Sequence, residues 1–285
     1  GSAVATVGDL DGDGVSEFGV GAPLRGGEAG VDVGAIALFS TMERGARTLP
    51  DARALVTGFY SGAGLGNRVF GLGDVDGDGN DDFAAAATYG DAGYIVSGLP
   101  STGDITAVER VRITGDERDT LRDLWPAGDL DGDGRTDIAL LEDSRFVRLF
   151  TDVAASPTMG VGDWNHTVDG GQFVYQPHAL GDLDGDGFGE LLVSCIYDAT
   201  YASPVAGVFF GGDWSFRETK TLNDAPLLAI STRSNAAGYR VATPGDVDGD
   251  AVDDIALGAY ADAQGGSDAG GVILLRYQQG SESTE

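Results

Sequence analysis

At 285 residues and 42% hydrophobic content, the chain is long enough for one large or two ordinary domains with a real core. Its 46 acids against 17 scattered basic residues give a formal charge of −29; phosphate recognition needs a basic patch, so neither nucleic acid nor a direct grip on anionic lipid is expected. A single cysteine, Cys195, excludes a disulfide framework within the chain, and no run approaches the roughly 18 apolar residues of a membrane span.

The first strand is predicted over Ala3–Val7. It runs into the acidic loop Asp9-Leu10-Asp11-Gly12-Asp13-Gly14-Val15-Ser16-Glu17, and a more apolar strand, Phe18–Ala22, leaves it. Further strands follow at Ala35–Phe39 and Ala54–Thr57. The same order then returns four times. Arg68–Leu72 leads into the loop 74–82, followed by Phe83–Thr88, Gly93–Ser97 and Val108–Ile113. Leu124–Ala127 leads into 129–137, followed by Ile138–Leu141, Phe146–Phe150 and a weaker strand at Trp164–Val168. Phe173–Leu180 leads into 182–190, followed by Leu191–Ile196, Val205–Phe210 and Leu227–Ser231. Tyr239–Thr243 leads into 246–254, followed by Ile255–Ala259 and Val272–Tyr277, with no fourth strand.

The loops open at residues 9, 74, 129, 182 and 246, giving intervals of 65, 55, 53 and 64 residues. A repeat of this length suits a four-stranded propeller blade with generous loops. Runs rich in Ala, Val, Ile and Leu without clean alternation fit strands covered on both faces. The expected fold is therefore all-β: a β-propeller over residues 1–277, five blades of mostly four antiparallel strands, the last with three, and a polar tail over 278–285. Counted around a closed ring, the last repeat is short of the others by about one strand and a turn. Its open edge is a docking site in one reading and a merely shielded edge in the other.

Each loop places acids at positions 1, 3, 5 and 9, with Gly at position 4 every time and at position 6 in four copies. Three short carboxylates two residues apart converge only if the backbone turns sharply between them, which the glycines permit. Only oxygen is offered, so the expected ion is calcium rather than zinc, about five in all and structural. The expected ligands are Asp9, Asp11, Asp13 and Glu17; Asp74, Asp76, Asp78 and Asp82; Asp129, Asp131, Asp133 and Asp137; Asp182, Asp184, Asp186 and Glu190; and Asp246, Asp248, Asp250 and Asp254. The position-7 carbonyls of Val15, Asn80, Arg135, Phe188 and Val252 can complete each set. In the fifth loop Ala251 replaces the position-6 Gly, which lowers the expected affinity there.

Asp-Gly clusters are also plain turn formers, whose side chains bond their own backbone. Five copies in phase, however, would leave five clusters of like charge unless something neutralised them. The opening half resembles an EF-hand loop, but position 12 of the first loop is Val20 instead of a bidentate Glu, and the loops lie between strands.

A Gly-aromatic or Gly-Leu-Gly approach, an Asp-x-Asp-Gly-Asp-Gly cage and a Gly-Ala-Pro exit resemble the FG-GAP repeat of integrin α-subunit propellers and their bacterial relatives. The carriers are Gly64-Leu65-Gly66, Gly238-Tyr239, Gly21-Ala22-Pro23 and Gly258-Ala259-Tyr260. The resemblance implies calcium in the hairpin between the first two strands of each blade and an extracellular, cell-surface role in adhesion or ligand binding. This sequence departs in blade number, since integrin propellers have seven, and it carries no inserted ligand-coordinating domain.

The expected function is thus an extracellular, calcium-stabilised binding or adhesion module for a protein or carbohydrate ligand, or a surface-assembly subunit that self-associates through the last blade's open edge. The rival is a secreted polysaccharide- or phosphodiester-cleaving enzyme, which would need a pocket with acids or His outside the cages. His166 and His178 are the only histidines, His166 expected in an exposed loop or edge and His178 in a strand. Cys195 is expected to be a buried, inert thiol. Phe59, Tyr60, Trp164, Tyr197, Tyr201, Trp214, Phe216 and Tyr260 are the aromatic candidates for recognition, against packing as the alternative.

Overall fold

The computed structural model describes residues 1–26, 32–42, 45–59, 61–87, 89, 92–114, 121–153, 158–160, 163–197, 205–230, 237–249, 252–259 and 270–275. The polar tail and Tyr60, Tyr201, Asp250, Ala251 and Tyr260 lie outside them, as does the side chain of Tyr197. The described strands form five sheets. The chain divides into two compact units: Gly1–Pro126 with Arg135–Asp143 and Phe150–Trp164, and Ala127–Gly134 with Ser144–Leu149 and Asn165–Glu285.

In the first unit, one sheet runs Ala3–Gly8, Glu17–Gly21, Ala35–Ser40 and Ala54–Thr57, each antiparallel to the last. The next runs Leu65–Gly73, Asp82–Ala87, Ala92–Ser97 and Val111–Thr114 in the same manner. Strand Asp82–Ala87 explains why its sequence lacks alternation. Phe83, Ala85 and Ala87 join one buried cluster with Val7, Ile36 and Leu38 of the first sheet, whereas Ala84 and Ala86 join another with Leu124, Ile138 and Leu140. A strand packed on both faces has no polar side to display. The approach between the first two sheets is close: a Cβ built on Gly21 would meet the Gly66 carbonyl oxygen at 1.9 Å. Only glycine fits there.

The second unit carries Gln172–Gly181, Glu190–Tyr197, Val205–Phe209 and Leu227–Ile230, again antiparallel in sequence order. Ala237–Gly245, Asp254–Ala259 and Gly271–Leu275 make a three-stranded sheet. Leu180, Leu192 and Val208 meet Ile255 and Leu257 in a shared core. On the outer strand Val272 remains 74% exposed, although the third strands of the other sheets in the two units are mostly buried. The third repeat is split: Leu121–Gly128 and Asp137–Glu142 belong mainly to the first unit, Phe146–Phe150 and His166–Asp169 to the second.

Several boundaries differ from expectation. Residues 105–108 form a helical turn capped by the Asp104 carboxylate, which accepts from Thr106 N at 2.9 Å, so the fourth strand of the second repeat starts at Val111 instead of Val108. Trp164 lies outside its strand, which begins at His166. Fifth strands also appear, each running parallel to the fourth strand of the preceding repeat: Gly103–Asp104 on Ala54–Thr57, Thr158–Gly160 on Val111–Thr114, and Thr219–Thr221 on His166–Asp169. These segments are two or three residues long, too short to show a side-chain period, and pairing made through the backbone leaves no pattern to read.

Candidate metal centres

Every acidic loop sits in the hairpin between the first two strands of its repeat, where the backbone has to reverse within nine residues. The turn is made by left-handed glycines at positions 4 and 6: φ is 71° and 85° at Gly12 and Gly14, 78° and 92° at Gly77 and Gly79, 77° and 94° at Gly185 and Gly187. Side-chain-bearing residues rarely adopt this conformation. The position-1 carboxylate organises the turn by accepting successive backbone N–H groups. Asp74 accepts from Gly77 at 2.6 Å, Asp78 at 3.1 Å and Gly79 at 2.9 Å, and Asp182 accepts from Gly185, Asp186 and Gly187 at 2.7, 3.1 and 3.0 Å. Asp129 binds Gly132, Asp133 and Gly134 alike, Asp9 binds Asp13 and Gly14, and Asp246 binds Gly249. The turn-former reading is therefore correct as far as it goes.

It does not account for position 9. Glu17, Asp82, Asp137, Glu190 and Asp254 are all buried at the start of the second strand. In four loops one oxygen of this acid accepts the position-2 N–H: Leu10 on Glu17 at 3.1 Å, Val75 on Asp82 at 2.9 Å, Val247 on Asp254 at 2.9 Å, and Leu183 on Glu190. The second oxygen of Glu17 binds Arg53, and that of Asp82 accepts Gly98 N at 3.0 Å. The second oxygen of Glu190, Oε1, is buried with no hydrogen-bond partner. Burial, followed by the charges of Asp184, Asp182 and Asp186 and opposed by the Leu183 N–H, pushes the Glu190 carboxyl up to about 7. Burial likewise raises Glu17 and Asp82. A buried, unpartnered oxygen on a carboxylate surrounded by other acids is a costly arrangement that a cation would relieve.

Carboxylate oxygens of Asp9, Asp11 and Asp13, of Asp74, Asp76 and Asp78, of Asp182, Asp184 and Glu190, and of Asp246, Asp248 and Asp254 lie within 4.8 Å of one another in each group. The third loop crosses the division between the units. Asp129, Asp131 and Asp133 form its turn in the second, while Arg135 and buried Asp137 belong to the first. The donor set is all oxygen and multidentate, which fits a hard cation of calcium's kind and not zinc. The position-7 residues contribute their N–H groups to the position-5 carboxylate, as in Val15 to Asp13 at 2.9 Å, Asn80 to Asp78 at 2.8 Å and Phe188 to Asp186 at 2.9 Å. In the fifth loop Val252 is described, whereas Asp250 lies outside the described residues.

Neighbouring loops are tied together within each unit. Asp81 N donates to the Asp9 carbonyl at 2.9 Å, and its side chain accepts Asp9 N at 2.8 Å. In the second unit Gly189 N donates to the Asp129 carbonyl and Gly212 N to Leu130. Successive cages thus stand side by side.

Sequence reading overlooked Arg53 and Arg110. Arg53 binds Glu17 Oε1 through Nη1 at 2.6 Å and pairs with Asp11 through Nη2; Arg110 Nη1 lies 3.2 Å from Asp76 Oδ2. Aligning the repeats on their fourth strands would have found them, because each immediately precedes that strand.

His166 is a buried strand residue, not the exposed loop or edge residue expected. Its Nδ1 lies 3.1 Å from the Ser215 carbonyl oxygen, its ring packs on Trp214, and burial lowers its pKa. His178, in a strand as expected, has Nε2 2.7 Å from Gln176 Nε2, and burial together with the Arg240 charge pushes it down to about 4. Cys195 is buried. Phe59 and Phe216 are exposed, whereas Trp164 and Trp214 pack against core residues.

No protein-family model matches the chain. A curated relative named integrin alpha pat-2, from Caenorhabditis briggsae, is 28% identical over 263 residues, 91% of this chain and 18% of that protein. Another, integrin alpha-PS5 from Drosophila melanogaster, is 33% identical over 105 residues, 35% of this chain and 10% of that protein. Among solved structures, a chain in a crystal structure of BBS1N in complex with ARL6DN matches with a TM-score of 0.46 and 9% identity, covering 89% of this chain and 58% of that one. The chain therefore spans less than a fifth of the length of the curated relatives it matches. Its likeness to integrin α subunits, first read from the repeated cages, extends over nearly its whole length.

Proposed function

We propose that residues 1–277 are a five-bladed β-propeller whose hairpin cages hold about five structural calcium ions, and that it works outside the cell as a binding or adhesion module. The observation that carries the calcium reading is Glu190 Oε1, buried without a hydrogen-bond partner on a carboxylate that converges with those of Asp182 and Asp184. The four side chains of each cage would hold the ion, with the position-7 carbonyl beside them. Bound calcium supplies the positive charge these carboxylates lack; the chain's own contribution is to fix the turn through the position-1 acid and bury the position-9 acid. Five ions would reduce the charge of −29 to about −19.

The likeness to integrin α subunits supports recognition of a protein ligand at the cell surface, and a glycan is the second ligand class we propose to test. The outer strand of the last sheet, with Val272 exposed, is available for self-association. Titration calorimetry of chelated protein with calcium and with magnesium tests the cages: tight, multi-site calcium binding is expected, and no calcium binding at millimolar ion overturns the reading. Probing arrays of glycans and extracellular proteins in calcium and in chelator tests recognition. Binding indifferent to chelator would contradict a calcium-held recognition surface.

A further inference from the structure

The cages are not equivalent, and the difference lies in one register position. Arg53 N donates to the Leu38 carbonyl and Arg110 N to the Ile95 carbonyl, both at 2.8 Å, so the two arginines occupy the same place relative to the third strand of their own sheets. Asn165 holds that place in the third repeat, with its N–H on the Leu149 carbonyl at 2.8 Å. In the fourth, Val208 pairs with Leu227, so the place falls to Pro226. From this position Arg53 reaches Glu17, Asp11 and, at 3.7 Å, Asp13, while Arg110 reaches Asp76. Proline has no such arm, and in the fourth cage the oxygen corresponding to the one Arg53 holds is the partnerless Glu190 Oε1.

Resting on the calcium reading above, we propose that Arg53 and Arg110 are built-in counter-cations that compete with calcium for the first two cages, dividing the protein's sites into a weak, self-neutralised class and a tight, metal-dependent class containing the fourth cage. A guanidinium and a calcium ion cannot both take the same carboxylate oxygens at contact distance, and two cations so close repel. The arginine must swing away, with loss of its ion pairs, before an ion is fully coordinated. Affinity falls by that cost. In return, the hairpins of the first two cages keep their acids paired when calcium is scarce, whereas among the described residues no cation is paired with Glu190 in the fourth.

The test is a calcium titration against a chromophoric chelator of the intact chain, alongside Arg53→Gln with Arg110→Gln and, separately, Pro226→Arg. Wild-type protein should show two classes of site. The double variant should move two sites from the weak class to a class at least tenfold tighter. Pro226→Arg places a guanidinium in register beside the fourth cage; it should weaken one tight site at least tenfold and raise the melting temperature in chelator. This arm keeps the test decisive if the double variant folds poorly. A single class in wild type, or isotherms unchanged in both variants, overturns the inference while leaving calcium binding intact. A complete lack of calcium binding overturns the underlying reading as well.

Discussion

Replacing Asp182 separates the two roles of a position-1 acid. Its carboxylate accepts three backbone N–H bonds, at 2.7, 3.1 and 3.0 Å, and it stands among the acids converging with Glu190. Bonds to a charged acceptor contribute roughly 1.5–3 kcal/mol each when shielded, but this loop is exposed, so about 0.7 kcal/mol apiece and ~2 kcal/mol in all is the realistic loss without metal. With calcium at 100 times its dissociation constant, the wild-type site adds about 2.7 kcal/mol; a variant whose affinity fell 100-fold would retain only about 0.4 kcal/mol of that. Asp182→Ala is therefore expected to cost about 2 kcal/mol in chelator and about 4 kcal/mol in calcium. Urea unfolding followed by circular dichroism, run in both conditions on both proteins, gives the four numbers. If the calcium-dependent increment is the same in variant and wild type, Asp182 holds no ion. A variant unchanged in chelator would show that its backbone bonds do not fix the turn.

Other perturbations probe the scaffold. The folded state holds His178 near pKa 4, below the ordinary 6.5, so it disfavours the charged ring. The associated stability is fully present above pH 6.5 and lost as pH falls towards 4, at about 1.4 kcal/mol per pH unit within that window. His178→Gln should flatten this component in denaturant unfolding at pH 7, 6 and 5, and an identical slope in both proteins would contradict it. Phe83→Ala, in a strand buried on both faces, is expected to cost about 3–5 kcal/mol by chemical denaturation. Gly21→Ala should destabilise strongly despite adding one methyl, because its Cβ would lie 1.9 Å from a carbonyl oxygen; a neutral effect would mean the sheets can part there. Cys195 should react with a thiol reagent only as fast as its sheet opens.

The cages and the three inner strands of each repeat were legible because their causes are local. Alternating acids and glycines are required by a turn that gathers carboxylates, and unbroken apolar runs such as 83–87 are required by burial on both faces. The helical turn at 105–108 was misread because Val108-Glu109-Arg110-Val111-Arg112-Ile113 alternates well enough for one continuous strand. What decides the boundary is the capping of Thr106 by Asp104, a contact two residues long with no periodicity. The short parallel strands escaped for a related reason. Thr158–Gly160 and Gly103–Asp104 pair through backbone groups with strands of the preceding repeat, more than 40 residues away.

The same distinction explains why His166 was misplaced while the acids beside it in the chain's logic were not. An isolated histidine carries no spacing, and its burial is set by Trp214 and Ser215, nearly 50 residues downstream. The cage acids carry their own spacing but not the identity of their counter-charge. Glu17 and Glu190 occupy the same position in loops that read alike, yet Oε1 of the first is held by a guanidinium and Oε1 of the second has no hydrogen-bond partner. That difference originates 36 residues beyond each cage, at Arg53 and Pro226, where the fourth strand begins. A repeat can thus keep its metal-binding signature intact while a single residue outside it decides how strongly the metal is required.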